Sequence, residues 1–106
     1  MGMVKSKFNI MWVGYCEPMN KVWGWFSHTD SESNQKYYCF WSHMKKTICF
    51  KSYNRFSNKT MFNGIRDIKV KNGYTEVKIN ELVLLWPEFF NDLESNFLSD
   101  KLKEKI

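Results

Sequence analysis

Apolar and polar positions alternate with period two through the first half of the chain and shift to helical spacing in the second. Residues 8–15, FNIMWVGY, alternate cleanly, with Phe8, Ile10 and Trp12 on one side and Asn9, Met11 and Val13 on the other. After a turn at Glu17-Pro18-Met19-Asn20, residues 21–27, KVWGWFS, read as a second strand. Gly24 lies there between Trp23 and Trp25, which marks a bulge or the close approach of another backbone. Residues 28–34, HTDSESN, form a polar loop rich in turn formers.

The strongest pattern is 35–53, QKYYCFWSHMKKTICFKSY. Two runs of β-branched and aromatic residues, 37–41 and 47–50, flank a short polar interval and read as a β-hairpin. A three-residue loop, 43–45, sets Phe40 opposite Ile48 and Tyr38 opposite Phe50, so these four share one apolar face. The other face carries Tyr37, Cys39, Trp41, Thr47, Cys49 and Lys51.

From Ser57 the spacing becomes helical. Ser57 or Asn58 caps a helix whose inner residues are Met61, Phe62, Ile65 and Ile68, with Arg66 and Lys69 outward. Lys69, Lys71, Asn72 and Gly73 end it as a helix C-terminus should end. A short extended piece, 74–77, leads to 80–86 and, beyond Pro87, to 88–103; the proline starts the second of these helices or kinks a continuous one. Leu82, Leu85, Trp86, Phe89, Phe90, Leu93, Phe97 and Leu98 make a wide apolar stripe. Either this helix closes the sheet, or part of the stripe stays exposed as a dimer or partner surface. Strands first and helices last predict an α+β fold: an antiparallel sheet of about four strands packed by a helix, then a C-terminal helical segment. The 106 residues make one domain, with the sheet and helix over 8–78 and an acidic helical extension over 79–106.

Composition sharpens this picture in three ways. The chain is 43% hydrophobic and 18% aromatic and lacks alanine, the profile of an AT-rich coding sequence such as phage or low-GC bacterial genomes carry. Residues 1–78 hold 13 basic and 5 acidic side chains, net +8, whereas 79–106 hold 3 and 6, net −3. A basic body attracts nucleic acid, anionic membrane or acidic proteins. Cys16, Cys39 and Cys49 have neither the number nor the spacing of a disulfide framework or zinc site, and are read as thiols in a reducing cytoplasm. No run reaches the ~18 apolar residues of a membrane span. The N-terminus only loosely imitates a signal peptide or a myristoylation site.

The case for catalysis is thin. His28 and His43 lack ligand-spaced partners, and neither a phosphate-binding glycine loop nor a nucleophile elbow occurs. The expectation is a protein that is not an enzyme and needs no cofactor or metal.

Val22-Trp23-Gly24-Trp25-Phe26, followed by 38–46, YCFWSHMKK, a helix, and 69–77, KVKNGYTEV, resembles the WGR domain. The resemblance covers roughly residues 8–78 and implies a small antiparallel sheet with a helix. WGR domains of poly(ADP-ribose) polymerases use a Trp and an Arg against DNA ends. Trp41 matches that Trp, whereas Ser42 stands in place of the Gly and His43 in place of the Arg. Histidine is a weaker cation than arginine, so Trp41 alone carries over.

Aromatics interleaved with lysines suit a surface that tracks a phosphate backbone and stacks unpaired bases. Tyr37, Trp41, His43, Lys45, Lys46 and Lys51 meet that requirement on one hairpin, with Lys59, Lys69 and Lys71 adding to the field. Lysines outnumber arginines 14 to 2, which favours diffuse phosphate attraction over reading of base edges. One reading is therefore a small accessory protein that binds single-stranded nucleic acid, RNA favoured over DNA. In the other, Tyr37 and Trp41 are buried under the C-terminal helix and the lysines are merely solvated. A different class of function also fits: a phage-type, anti-defence inhibitor that binds an acidic host protein, such as a nuclease or toxin ribonuclease, in the bacterial cytoplasm. A homodimer through the C-terminal helix is compatible with either.

Overall fold

The computed structural model describes residues 8–29, 35–53 and 58–105. Five strands are present: β1 (Phe8–Cys16), β2 (Lys21–Thr29), β3 (Gln35–His43), β4 (Cys49–Tyr53) and a short β5 (Thr75–Glu76). Three helices follow the first four strands, with β5 between the first two: α1 (Asn58–Lys71), α2 (Ile79–Leu85) and α3 (Phe89–Lys105). The chain is α+β, with one antiparallel sheet in the order β4-β3-β2-β1-β5. The piece at 74–77 supplies the fifth strand, which adds to the outer edge of β1 through Gly14↔Glu76 and Tyr15↔Thr75. Ser57 and most of the polar loop, 30–34, lie outside the described residues.

β2 sits in the middle of the sheet and is buried from Val22 to Ser27, so both of its faces need a cover. One face belongs to Val22, Phe26, Tyr38, Phe40 and Ile48, closed by Leu82 and Trp86 of the α2 region and by Phe89, Leu93 and Phe97 of α3. The other belongs to Cys16, Trp23, Trp25 and Cys39, closed by Phe62 of α1 and by Tyr74. Trp25 and Phe62 stack with centroids 4.5 Å apart. α1 thus supplies the helix expected to cover one face, and the C-terminal helices close the opposite one.

Four local expectations need correction. The alternation of β1 breaks at a bulge between Ile10 and Trp12. Beyond it Val13 and Tyr15 join Phe8 and Ile10 on the α3 side, while Trp12 packs with Trp23. In the hairpin the partners are Phe40↔Phe50 and Tyr38↔Ser52, two residues out from the expected register. The apolar face is as read, but the connection is longer, because the Ile48 N–H leaves the ladder and donates to Asn96 Oδ1 of α3 at 2.7 Å. In α1 the inward stripe runs through buried Phe62 and half-buried Ile65, Arg66 and Lys69, the i, i+3, i+4, i+7 set, and Ile68 is 58% exposed. Phe62, stacked on Trp25, fixes that rotation. Finally, Pro87 neither starts nor kinks a helix: it lies in the turn between α2 and α3.

Gly73 ends α1 with φ +104°, the left-handed conformation that a C-cap glycine supplies, and the Tyr74 N–H closes the turn on the Lys69 carbonyl at 3.0 Å. The α3 stripe is largely consumed by the core: Phe89, Leu93 and Phe97 are buried, whereas Phe90, Leu98 and Leu102 remain exposed. No helix among the described residues is long and apolar enough to cross a membrane.

Gly24 is held by contact. A Cβ there would lie 2.5 Å from the Trp12 carbonyl oxygen and 2.8 Å from the Phe40 ring. Gly24→Ala is expected to cost about 2–3 kcal/mol by overpacking, and Phe40→Ala about 3–5 kcal/mol by leaving a cavity. Denaturant midpoints check both, and an unchanged midpoint for either variant contradicts the packing described.

Candidate nucleic-acid interface

The groove of interest opens at the end of the sheet where β2 begins and β3 finishes. It encloses about 480 Å³ and is lined by Lys21, Val22, Trp41, Ser42, His43, Lys46, Thr47, Cys49, Lys69 and Tyr74. Strand register builds its floor: Lys21 pairs with His43, and Trp41 lies between Trp23 and Cys49 on the neighbouring strands. Trp41 is 41% exposed, at the edge of the face that α1 covers.

The β3–β4 turn forms one wall, and several hydrogen bonds set its shape. The Lys46 N–H donates to the His43 carbonyl at 3.0 Å, and the buried Ser42 hydroxyl reaches the Lys46 carbonyl at 2.9 Å. Lys45 takes a left-handed φ of 65°, unusual for a residue with a Cβ. The Met44 N–H donates to the Asn20 carbonyl at 2.9 Å, tying this turn to the β1–β2 turn. Ser42 thus serves as a clamp on the loop that carries Lys46.

α1 forms the other wall through Lys69. Its ammonium sits 5.9 Å from the Trp23 ring centroid and 5.4 Å from that of Tyr74. Contacts of this kind contribute about 0.5–1 kcal/mol each where exposed. They orient the charge before any ligand arrives. Lys21, Lys46 and Lys69 therefore line one groove with an exposed indole, and none of the described lining residues is acidic. Among the described residues, no group of three or more His, Cys, Asp or Glu could hold a metal ion.

Compared with protein-family models, curated proteins and solved structures, the chain matches none. The site is read from its own residues.

Of the residues expected from sequence, Trp41, His43 and Lys46 meet in the groove. Lys45 is exposed in the adjoining turn but does not line it. Lys51 lies opposite Cys39, farther along the hairpin. Tyr37 is separate: it is half-buried, with its ring 6.2 Å from Trp25 and 6.5 Å from Phe62. α1 crosses the outer hairpin face there and divides what sequence alternation had joined. Lys71 is exposed on α1 outside the groove, and the side chain of Lys59 lies outside the described residues.

Lys21 was not anticipated, and Lys69 was expected to point outward. Both carry a usable signal. Lys21 becomes a neighbour of His43 once the two strands are paired, and Lys69 stands seven residues after Phe62, on the same helical face.

Burial, and after it the neighbouring Cys16, push the Tyr74 phenol above its ordinary value of 10.0. The folded chain therefore favours the neutral phenol. The stability this provides is complete below pH 10.0 and is lost as pH rises through the higher folded value. Tyr74→Phe keeps the ring and removes the ionisation. The variant is expected to lose stability less steeply than the parent above pH 10.0, as read from thermal midpoints. Identical alkaline limbs would exclude Tyr74 as the group responsible.

Proposed function

We propose that this is a non-catalytic accessory protein that binds single-stranded nucleic acid, with RNA favoured over DNA, in the groove around Trp41. The carrying observation is an exposed indole that shares its groove with Lys21, Lys46 and Lys69, with no acidic residue among the described lining. Ammonium groups neutralise phosphates, and a flat ring stacks on any unpaired base. The resemblance to WGR domains supports the reading at Trp41 alone. Lysine in place of arginine argues for backbone attraction with little sequence preference. The ligand meets the end of the sheet and not the whole outer hairpin face, and Tyr37 takes no part.

A second reading draws on a separate surface. Leu84 is 83% exposed, and Leu85, Phe90, Leu98 and Leu102 are also exposed on α2 and α3. Apolar anchors of this type, beside a basic body that steers towards an acidic protein, suit an inhibitor of a host nuclease or toxin ribonuclease. A homodimer would use the same residues.

Fluorescence anisotropy of a labelled single strand, titrated across salt concentrations, separates the two. Trp41→Ala is expected to lose about 1–3 kcal/mol of binding with little change in salt slope, because stacking is not ionic. Lys46→Ala is expected to reduce the slope by about 0.7, the value for one phosphate on a single strand. Absence of binding at low salt would end the nucleic-acid reading and leave the inhibitor.

A further inference from the structure

We infer that the groove takes one unpaired nucleotide of a strand together with its flanking phosphates, and does not track a run of bases; this rests on the nucleic-acid reading above. Single-strand binders that track a backbone present several aromatic platforms, on which successive bases stack. Here Trp41 is the sole Phe, Tyr or Trp ring exposed in the described groove, with only the smaller His43 imidazole beside it, because Tyr74 is buried and Tyr37 lies outside it. Tyr37 is four residues back along β3, about 13 Å at the rise of a strand. Phe62 of α1 packs against its ring, so a base leaving Trp41 meets the helix before it meets a second platform.

The cations are arranged around the same single ring. Lys21 enters from the start of β2, Lys69 from α1 and Lys46 from the β3–β4 turn. A nucleotide within a strand has a phosphate on either side of its sugar, and lysines drawn from separate elements supply a cation for each. The enclosed volume of about 480 Å³ falls in the range of about 300–1,000 Å³ usual for one small ligand. Two flanking phosphates set an expected salt slope of about −1.4, from 0.7 per phosphate.

The test is a length series measured by calorimetry with unlabelled oligouridylates: a mononucleotide, a trinucleotide and a dodecanucleotide. The trinucleotide is expected to bind within about threefold of the dodecanucleotide once the number of overlapping sites is counted, and the mononucleotide at least tenfold more weakly for want of a second phosphate. Trp41→Ala should weaken the trinucleotide and the dodecanucleotide by the same factor. A corrected affinity that climbs more than tenfold from trinucleotide to dodecanucleotide overturns the single-nucleotide site while leaving nucleic-acid binding intact. A mononucleotide equal to the trinucleotide overturns the strand ligand in favour of a free nucleotide. Failure of all three to bind overturns the underlying functional reading as well.

Discussion

The structure depends on a central strand that has no solvent face. β2 carries Trp23 and Trp25 to one side and Val22 and Phe26 to the other, and between the two tryptophans the backbone of β1 and the ring of Phe40 close onto Gly24. A strand buried on both faces requires a layer above and below it. The chain meets that demand with α1 on the tryptophan side and with α2 and α3 on the phenylalanine side. Aromatic residues make this feasible in a short chain, since each ring removes a large apolar area from water while few residues are ordered.

The candidate site follows from how incompletely one of these layers covers its face. α1 centres on Phe62 over Trp25 and reaches Trp23, near the end of the sheet, through Lys69. Trp41, on the next strand beyond Trp23, is left at the margin. An indole at a margin is an unusual place for a hydrophobic residue that the core does not need. The lysines around it give that placement a chemical sense.

Much of the fold was legible in the sequence because two periodicities are strong. Alternation identified the four long strands and the facing of Tyr38, Phe40 and Ile48, and Gly24 announced a close approach. The misreadings all concern where a period is interrupted or rotated. Nothing local in 8–15 shows that Met11 is the extra residue of a bulge, since the bulge is set by pairing with Phe26 and Trp25. The hairpin register was displaced because Asn96, nearly fifty residues away, withdraws the Ile48 N–H from the ladder. The rotation of α1 was ambiguous because Ile65 fits either stripe, and the stacking of Phe62 on Trp25 decides it. Trp41, His43 and Lys46 could be read from one hairpin. Lys21 and Lys69 could not join them until strand pairing and helix docking were known.

Lys69 is the groove-lining residue that α1 contributes, so the groove depends on that helix as well as on the sheet. It belongs to a helix with Gly64 at an open position, where no neighbouring atom lies within 4 Å of an added Cβ. Glycine at such a position weakens a helix by about 1 kcal/mol relative to alanine. α1 is thus a natural candidate for the unit that opens first in local unfolding, and each opening would carry one cation away from the groove. If the groove is occupied as proposed, occupancy and helix docking are thermodynamically linked: a ligand held by Lys69 would suppress the opening of α1, and whatever loosens α1 would release it.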